Sequence, residues 1–202
     1  KRFDLPTAKE RGHRGLCHRL DNFASGVQVF GTSGEAVRHF AAESAAHRVL
    51  KEYVVLVDGR LGGEEGPHEG VVEVPMRRWQ DFMRREFGSI VCGREGSLAV
   101  TKYRVLRHFR VRSEGTLKYW GRDRWFSLVH IRTLTGRADQ IRVHMAFLGH
   151  PLVSDMKYHA KASEDDFAIV PRIFLHCLRI ELEDMDSTKF TAVADIAPDL
   201  QA

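Results

Sequence analysis

At 202 residues, with 43% hydrophobic and 29% charged side chains, the chain holds enough apolar material for one packed core, which excludes the disordered and fibrous classes. No apolar run nears the roughly 20 residues that cross a bilayer, and none stands before a cleavage signal at the start, so we expect an intracellular protein without a membrane partner. A formal net charge of +4, carried far more by arginine than by lysine, fits an RNA partner and a GC-rich coding sequence equally well.

Residues 1–17 are polar and basic, lack periodicity, and read as an extended lead-in. Gly26–Phe30 alternates and predicts a strand. Thr32 or Ser33 is placed to cap a helix running to about His47, with Glu35 in its first turn and Val37, Phe40, Ala41 and Ser44 on one face. Lys51–Val57 is rich in β-branched residues and stops at Asp58-Gly59, which predicts a strand and a turn. Gly62–Gly70, dense in Gly and Glu, reads as a mobile hairpin tip that returns through a strand at Val71–Val74. Met76–Glu86 interleaves Arg77, Arg78, Arg84 and Arg85 with Trp79 and Phe82. That mixture suits base stacking and phosphate contact, and equally a surface loop whose aromatics pack inward.

Ser97–Arg110 and Arg124–Thr133 predict two long strands with a polar, variable loop between them. Ala138–Leu148 predicts a short helix with Ile141, Met145 and Leu148 along one face, ended by Gly149 and Pro151. Phe174–Leu182 and Phe190–Ala194 supply two late strands. Hairpin-like connections with two clear helices and no parallel βαβ repeat argue for an α+β fold on a mixed, largely antiparallel sheet, with 1–202 forming a single domain. Cys17, Cys92 and Cys177 are far apart and odd in number, and the eleven histidines include no HExxH pair. We therefore expect a reducing compartment and no metal.

Two segments are arranged for chemistry. His18-Arg19-Leu20-Asp21-Asn22-Phe23-Ala24-Ser25-Gly26 presents one carboxylate in a Gly-closed turn that feeds a strand and follows a cation. Thr135-Gly136-Arg137-Ala138-Asp139-Gln140-Ile141-Arg142-Val143-His144 opens a helix from a turn and aims a guanidinium outward. Lys51-Glu52-Tyr53 lies between them, and Leu148-Gly149-His150-Pro151-Leu152-Val153-Ser154-Asp155 follows.

In that order these segments resemble the HRLD-x-x-TSG, K-x-Y, TGR-x-HQ[IL]R-x-H and LGHP-[IL]-x-GD motifs of the RluA-type RNA pseudouridine synthases, over most of the chain. The resemblance implies a pseudouridine synthase core, a curved sheet flanked by helices and loops with a cleft across it. It implies a cofactor-free isomerisation of uridine to pseudouridine in structured RNA, with ribosomal RNA, free or in a pre-ribosomal particle, as the expected partner. Such an enzyme breaks N1–C1′, turns the detached uracil, joins C5 to C1′ and removes the C5 proton. It needs a carboxylate at the sugar, a surface for the base and enclosure against water.

By the same resemblance Asp21 is the catalytic acid, either as nucleophile at C1′ or as the base that starts glycal formation, and Arg142 is its partner. A turn-capping acid is the bland reading of Asp21. Tyr53 matches the tyrosine that stacks on uracil and takes part in C5 deprotonation; without the motifs it would pass for an ordinary half-buried strand residue. Arg19 matches the arginine that enters the RNA stack beside the flipped nucleotide, with a structural salt bridge as its alternative. Leu175 is the candidate apolar floor beneath the base, or simply core. Lys51, Arg137 and Gln140 read as supports behind the site or phosphate contacts, and His150 as structural.

The chain also departs from the pattern. Ala24 replaces the usual Thr, Phe23 stands where a polar residue is common, and Asp139 replaces the His before Gln-Ile-Arg. Asp139 either occupies a favourable helix N-terminus or competes with Asp21 for Arg142, raising the catalytic carboxyl's pKa. Members of the family usually carry a further N-terminal strand region with a Lys-Pro pair, whereas here 17 residues precede His18 and the first is not methionine. We therefore expect a chain without that region, in the mitochondrial matrix ahead of a bacterial-type cytoplasm. The same departures motivate a second expectation: a catalytically weak or inactive synthase-like factor that holds ribosomal RNA during assembly.

Overall fold

The computed structural model describes residues 15–201 except 65, 67, 82, 84, 85, 94, 113–122 and 160–162. In chain order its elements are β1 (Ser25–Gly26), α1 (Gly34–Ala45), β2 (Leu50–Asp58), β3 (Glu69–Glu73), β4 (Met76–Asp81), β5 (Glu86–Val91) and β6 (Val100–Val111). There follow β7 (Arg124–Thr133), α2 (Gln140–Phe147), α3 (Ser163–Ile169), β8 (Leu175–Glu183), β9 (Lys189–Val193) and a 3-10 turn at Pro198–Leu200. Seven strands form one sheet in the order β1-β8-β2-β7-β6-β3, with β9 also on β8, while β4 and β5 pair separately. The β1–β8 pair is parallel and the other pairs are antiparallel, so the sheet is mixed and the fold is α+β.

Strand β2 is central because both of its faces are buried. Val55 and Val57 pack with Val129, Ile131, Ile141 and Met145 on the α2 side. Val54 and Leu56 pack with Phe126, Val153, Val170, Phe174 and Leu200 on the other. Period-2 alternation sorts these four side chains between the two faces, and burying each contributes roughly 1.5–3 kcal/mol. A third cluster, Phe40, Val49, Cys177, Ile180 and Leu182, seats α1 on the sheet.

The strand expected at Gly26–Phe30 is shorter than its pattern suggests. Ser25 and Gly26 pair with His176 and Cys177, but from Arg179 onward the same edge of β8 is occupied by β9. With no free edge to follow, the chain continues through single bonds, Val27 N–H to Cys177 O at 2.9 Å and Cys17 N–H to Val29 O at 3.0 Å, and a bridge from Phe30 to Leu16. The expected lead-in is therefore tied down from Leu16, and its part before residue 15 lies outside the described residues.

Ser33, not Thr32, caps α1, its Oγ accepting from Ala36 N–H at 3.1 Å. The helix stops at Ala45, and Phe40 and Glu43 are its buried residues, whereas Ala41 is exposed. Gly62–Gly70 is not a hairpin tip, because β3 pairs with β6 and not with β2. The connection is anchored instead: Leu61 is buried, its N–H donates to Ser127 Oγ at 3.0 Å, and the Arg60 guanidinium lies 4.8 Å above the Trp125 ring. The variable loop expected between β6 and β7 lies largely outside the described residues.

Candidate active site

The acid turn reaches the mouth of a cleft because β1 docks on the first residues of β8. Gly26, at φ +112°, lies so close to Cys177 that a Cβ would stand 2.1 Å from the Cys177 carbonyl oxygen. That contact explains the glycine: a side chain would lift the whole turn off the sheet. Ser25 fixes the other side of the pairing, its Oγ lying 2.9 Å from His176 Nδ1 and accepting from Arg172 Nη2 at 3.0 Å. Across β8, Tyr53 is in register with Cys177, beside a bulge at Glu52/Tyr53. Bulges re-aim side chains, and this one sits where Tyr53 faces the acid turn.

The cleft encloses about 800 Å³, within the range that takes a nucleotide-sized ligand. Arg19, Asp21, Lys51 and Tyr53 line it, as do Arg137, Gln140 and Leu175. Asp21 is half-buried. Burial raises its carboxyl above the ordinary aspartate value; the Asp139 charge raises it further, Arg142 and Arg19 pull it down, and Asp155 opposes them. Tyr53 is held well above the usual phenol value, first by burial and then by Cys177 and Asp21, so its hydroxyl keeps its proton. Leu175, 3% exposed, is both cleft floor and core, packed with Val55 and Ile141.

Arg19 is exposed, and among the described residues no carboxylate stands within ion-pair distance of it. Arg137 is also exposed, with one guanidinium N–H on Leu98 O at 3.1 Å. Lys51 lies 5.5 Å from the Phe40 ring centre, and burial lowers its pKa.

Gln140 is spent on structure. Its Nε2 donates to Val100 O and Thr101 Oγ1, both at 3.0 Å, and its Oε1 accepts from Thr135 Oγ1 at 2.8 Å and Arg137 N–H at 3.0 Å. Every polar valence of this buried amide is used, which locks the turn before α2 onto β6. His150 is structural as expected, with Nδ1 2.7 Å from Asp58 O.

Arg142 does not hydrogen-bond the acid for which the sequence offers it as partner. Its Nε and Nη2 donate to Asp155 at 2.8 and 2.7 Å, and Nη1 reaches Asp139 at 3.3 Å. It acts on Asp21 through space. Asp139 precedes α2 in a left-handed conformation, φ +56°, and makes no side-chain cap bond, so helix capping is not its role. Its carboxylate instead accepts from Lys157 Nζ at 2.6 Å and Tyr158 OH at 2.7 Å. Tyr158 OH accepts in turn from Ser89 N–H on β5 at 3.0 Å.

The basic, aromatic segment at Met76–Glu86 is largely strand, the β4–β5 hairpin, and Arg78, Phe87 and Ser89 line the cleft. Phe82, Arg84 and Arg85 lie outside the described residues. Gly88 makes room for the Lys157 side chain, since a Cβ there would come within 2.8 Å of Lys157 Cε and 2.9 Å of Trp79 Nε1. Reading the sequence missed Asp155, Lys157 and Tyr158, although Asp155 closes the last motif. It also missed Arg172, for which no local signal exists.

This cleft, lined by Asp21 in the turn before β1 and by Tyr53 of β2, coincides with a match of residues 1–147 to the RNA pseudouridylate synthase family. The chain belongs to the RluA-type RNA pseudouridine synthases. Pseudouridine synthases are isomerases. The chain is 34% identical over 152 residues to the ribosomal large subunit pseudouridine synthase D of Blochmanniella floridana, covering 75% of this chain and 40% of that one. It is 31% identical over 182 residues to the dual-specificity RNA pseudouridine synthase RluA of Escherichia coli K12, covering 88% and 72%. Among solved structures, human RNA pseudouridylate synthase domain containing 1 superposes with a TM-score of 0.70 at 25% identity, over 92% of this chain and 71% of that one. The fold of this pseudouridine synthase is thus the one its motifs imply.

Proposed function

We propose that this pseudouridine synthase isomerises uridine in ribosomal RNA, with Asp21 as the catalytic carboxylate. The observation that supports the reading is that Asp21 lines one cleft together with Tyr53, Leu175 and the exposed cations Arg19 and Arg137. A uridine lifted from its RNA has its phosphates near those guanidiniums and its base between a ring and an apolar floor. Asp21, ionised, attacks C1′ or removes the C2′ proton; N1–C1′ breaks, and the uracil turns while Tyr53 and Leu175 confine it. C5 then bonds to C1′ as Asp21 leaves that carbon or returns its proton to C2′; C5 loses its proton to water and N1 takes one up, so substrate and product hold the same atoms. Ribosomal RNA is favoured because the Blochmanniella relative is named as a large-subunit synthase.

The test uses a ribosomal RNA transcript labelled with tritium at uridine C5, because isomerisation releases that tritium to water. Wild type should release it, and Asp21→Asn should not, while binding the transcript within a few-fold of wild type because the phosphate contacts remain. Release by Asp21→Asn would end the assignment of Asp21. Tight binding without release by wild type would instead favour the assembly-factor reading.

A further inference from the structure

Phe23 occupies the third position of the Asp21–Ala24 turn, which Ala24 N–H closes on Asp21 O at 3.0 Å. Its φ is +64°. That conformation is one Gly or Asn adopts easily and a bulky L residue adopts at a cost. The ring gains no burial in exchange, being 78% exposed. The backbone is held there from outside: Arg172 Nη1 donates to Phe23 O at 2.8 Å, while Nε and Nη2 of Arg172 fork onto Asp199 at 2.7 and 3.0 Å. A strained residue fixed by a buttressed arginine, with its aromatic face left in water beside the acid, is not accounted for by packing.

RNA supplies what the ring lacks. When one nucleotide leaves its stack for a cleft, its neighbour loses a stacking partner, and an aromatic face restores one without regard to sequence. Phe23 is two residues from Asp21 and so within about 7 Å of it along the chain. Arg19, four residues away, offers the charge that an aromatic ring does not. We infer that Phe23 is a stacking platform for the unpaired nucleobase adjacent to the nucleotide that enters the cleft. This contact rests on the pseudouridine synthase reading for the identity of its partner, and not on catalysis by Asp21.

The experiment measures binding of a stem–loop RNA with a uridine-rich loop carrying one 2-aminopurine, in an Asp21→Asn background so that no turnover intervenes. Phe23→Ala and Phe23→Asn should each weaken binding about 10-fold to 100-fold and relieve 2-aminopurine quenching, whereas Phe23→Trp should keep both. The slope of log affinity against log salt should stay that of the parent for all three, while Arg19→Ala lowers it by about one. Phe23→Asn should also melt no lower than the parent, since Asn accepts the left-handed turn, so a binding loss cannot be laid to misfolding. Affinity and quenching within twofold of the parent for Phe23→Ala would overturn the inference. Tritium release by Asp21→Asn would remove the catalytic assignment and leave the stacking result intact; normal binding by the Phe23 variants would do the reverse.

Discussion

Arg142 commits its guanidinium fork to Asp155, whose side chain is fully buried, at 2.8 and 2.7 Å. Asp155 also accepts from Lys157 N–H at 3.0 Å and Tyr158 N–H at 3.2 Å, so one carboxylate organises both the cation and the turn that follows it. The positive charge near Asp21 is therefore set by a residue that does not line the cleft. Asp155→Ala should leave the buried guanidinium only its longer contact with Asp139, lowering stability by up to about 3–5 kcal/mol. Asp155→Asn should cost less, because it can still accept the two backbone bonds. Urea denaturation of the three proteins checks the order, and equal midpoints for wild type and Asp155→Ala would refute it.

Asp139 carries the chain's departure from its family into the electrostatics of the site. It raises the Asp21 carboxyl, and its own charge is offset by Lys157, Arg142 and the Tyr158 hydroxyl. In the proposed mechanism Asp21 acts ionised, so a raised carboxyl moves the acid limb of the pH profile of kcat/KM upward. Asp139→Asn should shift that limb to lower pH. Lys157→Gln leaves Asp139 less compensated and should shift it to higher pH. A limb that stays fixed in both variants would mean that Asp139 does not govern the ionisation of Asp21.

Much of this site was readable because each piece is local. The Asp21 turn, Lys51-Glu52-Tyr53 and the turn before α2 announce themselves by short-range chemistry, and β2 brings Tyr53 into place through an apolar run that any packed sheet buries. What escaped depends on pairing across long separations. The truncated β1 follows from β9 claiming the edge of β8, a competition between segments about 165 residues apart that no window contains. The hydrogen-bonded partner of Arg142, Asp155, is brought to it by the fold, while the guanidinium still acts on Asp21 through space. The short α3, Ser-Glu-Asp-Asp-Phe-Ala-Ile, has too few apolar positions to declare a face.

At the far end of β2 a second charged group forms, remote from the cleft residues along the strand. Arg124 donates to Asp58 and Asp166, both at 2.8 Å, and His159 lies 3.4 Å from Asp58 and 3.3 Å from Asp166. Contacts with Asp166 and Asp58 push the His159 pKa up to about 9, against burial. A folded-state value above the unfolded one stabilises fully below the unfolded value of about 6.5 and ceases as pH rises through about 9. Unfolding free energy of wild type should therefore fall across that window, and His159→Gln should flatten the fall. An identical pH slope in the variant would exclude His159 as its source.

Asp21, the proposed catalytic acid, is predicted to be a burden on the fold. A carboxyl held above its ordinary value is worse off ionised in the folded chain than in the unfolded one. Its contribution turns unfavourable as pH rises from the unfolded value through the folded one, and it stays unfavourable at pH 7. Asp21→Asn keeps the shape of the side chain and removes the charge, together with the repulsion from Asp139 and Asp155. The variant should melt higher than wild type at pH 7, by about 2–4 °C for each kcal/mol relieved, while tritium release is lost. The difference should shrink in acid, where Asp21 of wild type is protonated as well. Thermal unfolding at both pH values decides the matter: a lower melting point for Asp21→Asn at pH 7 would mean that the ionised carboxylate supports the turn instead of straining it.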